Sequence, residues 1–247
     1  MSGEKATKSL FITGVGTDVG KTFISAMIYR RLSERGHEVS YYKPIQTGGK
    51  FFRGVLISPD CEWVGKFNSD LPRPVFTHST YVLKTPASPH FAAEKESIGI
   101  VSSKIISDFN DIAKRGEYNV VEGAGGLYVP VAENFYMYDI PSMLEMYIAL
   151  AAPAGLGSLN HVLLNHDFIL KKRLRLKAIL LVQASYRASD IEINNLAVLK
   201  KITGSDEIYL VPRFEIKYSS ARICFARPGE MKKFPGSAQI ERWFLER

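Results

Sequence analysis

Cysteine is scarce in this chain. Cys61 and Cys224 are the two in 247 residues, too few for a disulfide framework. No Cys-x-x-Cys pair occurs, so the usual zinc signature is missing as well. Both are read as small buried or part-buried thiols of a reducing compartment. The five histidines are scattered. His37, His78, His161 and His166 show no metal-ligand spacing, and His90 reads as a structural residue or one that supports a site from behind. Long apolar runs are lacking too. The stretch after the polar start MSGEKATKSL is broken by Gly14, Gly16 and Asp18, and Met143–Leu164 is interrupted by Glu145, Pro153, Asn160 and His161. These breaks exclude a membrane-spanning helix and a leader peptide, so the expected location is the cytoplasm. No repeat or low-complexity linker is visible. One domain is expected over 1–247, with loose ends at 1–7 and 215–236.

What is present is ordinary in bulk. Apolar residues make up 46% and charged residues 23%, which excludes wholesale disorder and a coiled-coil rod. Acidic residues are outnumbered, 25 against 32 basic, for a net charge of +7. That balance fits a nucleic acid, an anionic surface or a phosphorylated substrate equally well. The basic cluster Lys171-Lys172-Arg173-Leu174-Arg175 reads as a solvated helix end, where positive charge is favoured. The aromatic run Asn134–Tyr138 reads as core or dimer interface, not as a base-stacking platform. Neither a nucleic-acid nor a membrane partner is expected.

Short apolar runs alternate with helical patterns. Strands are predicted over 10–13, 39–43, 118–122, 148–152, 176–182 and 207–211. Helices are predicted over 21–34, 103–114, 158–170, 190–202 and 237–245, from apolar residues at 3.6-residue spacing and glycine stops such as Gly36 and Gly116. Strands separated by helices imply βαβ units. The fold class is therefore α/β, a mostly parallel sheet covered by helices on both faces.

The strongest motif is Gly14-Val15-Gly16-Thr17-Asp18-Val19-Gly20-Lys21-Thr22. A strand ends in a glycine-rich loop, and the loop ends in Gly-Lys-Thr at a helix start. This is a P-loop arrangement, one residue longer than usual between Gly14 and Gly20. Backbone N–H groups of such a loop and the helix N-terminus face phosphate oxygens. Lys21 is predicted to reach the β- and γ-phosphates and Thr22 to ligate Mg²⁺. Two more segments follow strands at the same end of the sheet, where ligands of open parallel sheets bind: Lys43-Pro44-Ile45-Gln46-Thr47-Gly48 and Glu122-Gly123-Ala124-Gly125-Gly126. Glu122 is a carboxylate placed for Mg²⁺ or its water shell. Lys43 is placed for an anion.

These segments, with Ser88-Pro89-His90 and Gly155–Leu164, occur in an order and spacing that resembles the dethiobiotin synthetases, ATP-dependent ring-closing enzymes. The similarity spans roughly residues 8 to 214. The resemblance implies 7,8-diaminononanoate, CO₂ and MgATP as substrates, a carbamate, and a carbamic–phosphoric anhydride. It implies that Lys43 holds the carbamate and that Lys21 lies between carbamate and γ-phosphate. Thr17 and Asp18 would line the loop near the amines, with Thr47 hydrogen-bonding the substrate. Thr22, Asp60 and Glu122 would hold the metal. Asp18, Val19, Gly20, Lys21, Thr22, Phe23, Asp60, Glu122, Gly123, Ala124 and Gly125 would surround the nucleotide. Asp60 has a plainer alternative, the N-cap of a helix starting at Cys61. The resemblance also implies a homodimer, with Leu156, Gly157 and Asn160 of one subunit taking the substrate carboxylate of the other.

The sequence departs from the family where Ala152-Pro153-Ala154 replaces a usual basic residue, and where Val182-Gln183 replaces the Asn that faces the nucleobase. Gln183, with Pro212, Arg213 and Phe214, is the expected base-side set. Two other readings share the P-loop: a related amide ligase with another substrate, which would not need the Lys43–Gly48 and Ser88–His90 segments together, and a partitioning-type switch ATPase, for which Val15 and Gly16 leave no extra loop lysine.

Overall fold

The computed structural model describes residues 8–218, 223–225 and 230–245. Seven strands form one sheet: β1 Lys8–Gly14, β2 Val39–Gln46, β3 Phe76–Val82, β4 Tyr118–Gly126, β5 Tyr147–Pro153, β6 Arg175–Val182 and β7 Ile208–Val211. Their order is β7-β6-β5-β1-β4-β2-β3. Every neighbouring pair is parallel, as expected for strands joined by helical crossovers. The chain builds outward from β1 to β2 and β3, returns with β4, and then crosses to the other side of β1 for β5, β6 and β7. The loop after β1 therefore opens at a reversal of strand order, where the carboxyl ends of β1, β2 and β4 lie side by side.

Helices cover both faces: α1 Lys21–Ser33, α2 Pro59–Phe67, α3 Pro89–Lys95, α4 Ser102–Ala113, α5 Asp139–Met143, α6 Ser158–Lys171, α7 Asp190–Thr203 and α8 Ser237–Arg242. Strand alternation sorts the side chains. Leu10, Ile12, Tyr41 and Val120 pack with α1, α2 and α8 through Ile24, Val64 and Ile240. Phe11, Tyr42 and Val121 pack on the opposite face with Ile105, Phe109 and Ile112 of α4. Leu150, Ile179 and Leu181 meet Val162 of α6 and Leu199 of α7. These side chains are almost wholly withdrawn from water, each contributing roughly 1.5–3 kcal/mol. None of the helices among the described residues is long and apolar enough to cross a membrane.

Several expectations need correction. β3 carries no strand in the periodicity above, because its middle, Thr77-His78-Ser79-Thr80, is polar and the whole strand is half-buried, as suits a sheet edge. β2 does not stop at Pro44. It pairs with β4 only as far as Tyr42–Val121, and pairing with β3 carries it past the proline to Gln46. Glu122 does not end its strand either. β4 runs on to Gly126, and Glu122 lies level with Ile12 of β1. Asp60 is not an N-cap: Ser58 caps α2, its hydroxyl accepting the Cys61 N–H at 3.2 Å, and Asp60 falls in the first turn. The last helix ends at Arg242, followed by a turn. Of the ends expected to be loose, 1–7, 219–222 and 226–229 lie outside the described residues. Ile216–Tyr218 pairs antiparallel with Ile223–Phe225.

Candidate active site

Three elements deliver the site to one place, and period explains each. On β2, Tyr41 and Lys43 are two residues apart and share the face that packs on α1. On β4, Val120 and Glu122 share that same face. On α1, Thr22 and Ser25 are three apart and project together. The result is a polar cluster at the upper edge of an apolar core.

Glu122 is its centre and is excluded from solvent. Its Oε1 accepts from the Thr22 hydroxyl at 2.9 Å and from Lys43 Nζ at 2.8 Å. Its Oε2 accepts from Ser25 and Tyr41, each at 2.9 Å. Burial alone would push this carboxyl up. Lys43 and the hydroxyls of Ser25 and Thr22 outweigh burial and hold it below the ordinary glutamate value. The Tyr41 hydroxyl is raised well above its usual value, first by burial and then by Glu122, so it stays a donor.

Lys43 Nζ also meets Asp60 Oδ2 at 2.7 Å and donates to the Gly123 carbonyl at 3.1 Å. Burial works against this ammonium, but the two carboxylates together raise it above the ordinary lysine value. Lys21 differs. Burial lowers it, and its Nζ turns back to the Gly16 carbonyl of its own loop at 2.6 Å. Burial also pushes the Cys61 thiol up to about 11, in keeping with an unreactive thiol.

The loop geometry suits phosphate. Gly20 caps α1 with φ +92°, and no side chain caps the helix, so its first N–H groups point outward unclaimed by a cap. A Cβ at Gly20 would lie 3.1 Å from a Val182 methyl in a backbone region that L-residues rarely adopt. Gly20→Ala is therefore expected to cost about 1–2 kcal/mol of stability and to weaken ATP binding. Thermal melting and nucleotide titration check both; an unchanged melting midpoint would remove the strain argument.

A cavity of about 750 Å³ opens above this cluster, within the range of small-ligand pockets. Of the residues expected at the site, Thr17, Asp18, Gly20, Lys21, Thr22, Phe23, Lys43, Thr47, Asp60, Glu122, Ala124 and Gly125 line it. Val19 and Gly123 lie behind this lining. Leu156, Gly157 and Asn160 stand apart, exposed at the start of α6. Gln183, Pro212, Arg213 and Phe214 form a neighbouring pair of loops after β6 and β7. Gln183 is buried, and its N–H bonds the Val211 carbonyl at 2.9 Å. Phe214 packs on Phe23, with ring centroids 5.5 Å apart. His90 is exposed and outside the lining, whereas Ser88 and Pro89 belong to it.

Sequence reasoning missed Ser25, Tyr41, Gln46 and Ser58. Ser25 and Tyr41 had a usable signal, since each lies one period from a predicted site residue on the same element. Gln46 stood in the Lys43–Gly48 segment without a role of its own and Ser58 had no signal, because the two meet only in three dimensions, with Ser58 donating to Gln46 Oε1 at 2.7 Å.

Could this site hold a divalent cation? Its donors are hard oxygens, two carboxylates and a hydroxyl gathered around one ammonium, which fits Mg²⁺. Among the described residues no group of three His, Cys, Asp or Glu forms a metal cage. The set therefore suits an ion that also takes phosphate oxygens and water.

The parallel sheet, the P-loop and the carboxylate beside its lysine define the class: a P-loop nucleotide-binding protein. Solved structures agree on the fold. A plasmid partition protein from Borrelia burgdorferi B31 bound to AMPPNP superposes with TM-score 0.58 at 13% identity, covering 97% of this chain and 98% of that one. A ParA family ATPase from Chlorobium tepidum TLS gives 0.54 at 16%, covering 98% of each. The family model described as AAA domain matches residues 8–213. Closer relatives come from sequence. An ATP-dependent dethiobiotin synthetase of Clostridium perfringens is 33% identical over 212 residues, 84% of this chain and 92% of the relative. That of Caldicellulosiruptor bescii is 37% identical over 177 residues, 70% and 72%. The chain belongs to the ATP-dependent dethiobiotin synthetase family. It is an enzyme of the ligase type, in biotin biosynthesis.

Proposed function

We propose that the chain closes the cyclic urea of dethiobiotin from 7,8-diaminononanoate, CO₂ and ATP, releasing ADP and phosphate. One amine adds to CO₂ and loses a proton, giving a carbamate. A carbamate oxygen takes the γ-phosphoryl group as ADP leaves. The second amine then attacks the carbamoyl carbon, expelling phosphate and closing the ring. Every state after CO₂ capture is anionic, so fixed positive charge in a dry site is the main requirement. The observation that carries this reading is the buried Lys43 beside Glu122 and Asp60, facing the phosphate loop with Lys21 opposite.

Lys43 holds the carbamate and stabilises the charge that builds on it. To do so its ammonium leaves Asp60, with which it pairs at 2.7 Å. Lys21 leaves the Gly16 carbonyl and lies between carbamate and γ-phosphate. Thr17 and Asp18 face the amines, and Thr47 hydrogen-bonds the substrate. Thr22, Asp60 and Glu122 hold Mg²⁺, which supplies charge neutralisation on the phosphates. Gln183, Pro212, Arg213 and Phe214 border the base. The protein works as a homodimer in which the substrate carboxylate is taken by the partner subunit's Leu156, Gly157 and Asn160. What supports this last element is the helix start itself. Gly157 caps α6 at φ +85° with no side-chain cap, and Leu156 and Leu164 are 95% and 62% exposed.

The test is an omission assay. MgATP, bicarbonate and the diamine are each left out in turn, with phosphate release and a product of cyclic-urea mass as readouts. Product is expected only from the complete mixture. ATP hydrolysis indifferent to the diamine, with no urea formed, would reject the reading in favour of another ligase substrate or a switch ATPase.

A further inference from the structure

Gln46 ends β2 and is 7% exposed at the wall of the cavity. Both ends of its side-chain amide are engaged. Oε1 accepts from the Ser58 hydroxyl at 2.7 Å and from the Asp60 N–H at 3.3 Å. Nε2 donates to the Thr47 carbonyl at 2.7 Å. The Gln46 backbone is anchored separately, its carbonyl accepting the Leu83 N–H at 2.8 Å.

The covalent path between these partners is a poor support. From Thr47 to Ser58 the chain leaves the site through the hairpin Lys50–Phe52 and Val55–Ile57, whose Phe51, Phe52 and Val55 stand largely in solvent. The first turn of α2, which bears Asp60, returns at the far end of that excursion. The Gln46 amide closes the loop across its base. The Asp60 carboxylate has Lys43 as its ion-pair partner. In the proposed reaction Lys43 turns away to the carbamate, and the Gln46 bonds to Ser58 and to the Asp60 backbone then remain to tie that turn, capped by Ser58, to the end of β2.

We propose that Gln46 is a positioning residue that sets Asp60, on the metal side, and Thr47, on the amine side, relative to each other. It acts through them and touches neither ATP nor the reacting atoms. The inference rests on the functional reading above for the roles of Asp60 and Thr47. The chemistry requires an amide: one oxygen with two lone pairs for Ser58 and Asp60, and an N–H for Thr47. Glutamate keeps the acceptor and loses the donor. Methionine loses both at similar length.

The experiment uses the full chain with two readouts. The first is Mn²⁺ affinity with a saturating non-hydrolysable ATP analogue, followed by electron paramagnetic resonance. The second is KM for the diamine against kcat. Gln46→Met is expected to weaken Mn²⁺ binding about tenfold, the size typical of losing a group that orients a ligand, and to raise the diamine KM. Gln46→Glu is expected to restore Mn²⁺ affinity to near the wild-type value while the diamine KM stays high. A residue that merely packs the loop would not split the readouts in this way. Wild-type Mn²⁺ binding by Gln46→Met, alongside weakened binding by Asp60→Asn, would overturn the proposal. So would Gln46→Glu being as impaired as Gln46→Met on both readouts. Wild-type binding by Asp60→Asn would instead overturn the metal assignment beneath it, and absence of cyclic urea from the wild type would overturn the reaction. Should Gln46→Met fail to fold, Gln46→Asn, one methylene short, carries the same comparison.

Discussion

Lys43→Ala is expected to lower kcat for cyclic-urea formation by about a hundredfold to a thousandfold, the usual loss when a fixed donor to a developing anion is removed. The reason lies in where the charge sits. Lys43 is 3% exposed, so water is a poor substitute for its ammonium, and in the proposed reaction Lys21 serves the phosphate side. Nucleotide binding should persist, because the loop N–H groups and Lys21 are untouched. Stability should fall as well. Removing one partner of a buried ion pair typically costs about 3–5 kcal/mol. That figure is an upper bound for Lys43, since Glu122 keeps Thr22, Ser25 and Tyr41 as donors and Asp60 is partly exposed. Lys43→Arg should refold the site better than it restores turnover, because a planar guanidinium cannot stand in for a compact ammonium. Undiminished turnover in Lys43→Ala, measured as cyclic urea formed per enzyme, would remove Lys43 from the chemistry.

Glu122→Gln should have the second largest effect. It is nearly isosteric, so packing survives, but Lys43 loses its fully buried counter-charge. Three hydroxyls that donate to a carboxylate would now face an amide able to accept at one end only. Metal-dependent activity is expected to drop by about tenfold to a hundredfold or more. The stability loss has a pH signature. The folded-state pKa of Glu122 lies below the ordinary value of 4.5. Its contribution is therefore fully present above that value and is lost as pH falls through the lowered one. Lys43 is raised above 10.5. Its contribution is fully present below that value and is lost only as pH rises beyond it. Urea denaturation of wild type and Glu122→Gln should thus show a constant gap from about pH 5 to pH 9, closing in more acid solution. A gap that persists unchanged into strong acid would mean that the ionised carboxylate is not what stabilises the fold.

How far the site could be seen in advance varied with the range of the interaction that makes it. The P-loop was legible because its parts are neighbours in sequence: Gly20 supplies the positive φ, Lys21 and Thr22 follow directly, and α1 begins there. Lys43 and Glu122 were legible as residues near strand ends. Their partnership was not, for it depends on β4 inserting between β1 and β2, and the pairing spans 79 residues. Asp60 was implied only by resemblance. Nothing local distinguishes it from Glu62, and it becomes a site residue because Gln46 and Ser58 hold the start of α2 against β2. The edge strand β3 was invisible for a related reason. Its polar middle and half-buried side chains carry no period, and it is a strand because Ser40–Lys43, Ile45 and Gln46 pair with it.

Local chemistry accounts for most of the strands and helices, the phosphate loop and the α/β class. Apolar period, glycine and proline act over a few residues and need no partner. The charge state of the site is another matter. A buried lysine would be expected to lose its proton and a buried glutamate to gain one. Lys43 and Glu122 are displaced the other way because folding brings them within 2.8 Å of each other and sets Asp60 beside Lys43 at 2.7 Å. Coulombic attraction at that distance in a water-poor interior exceeds the cost of burial, and only the assembled sheet, with β4 between β1 and β2, creates that distance.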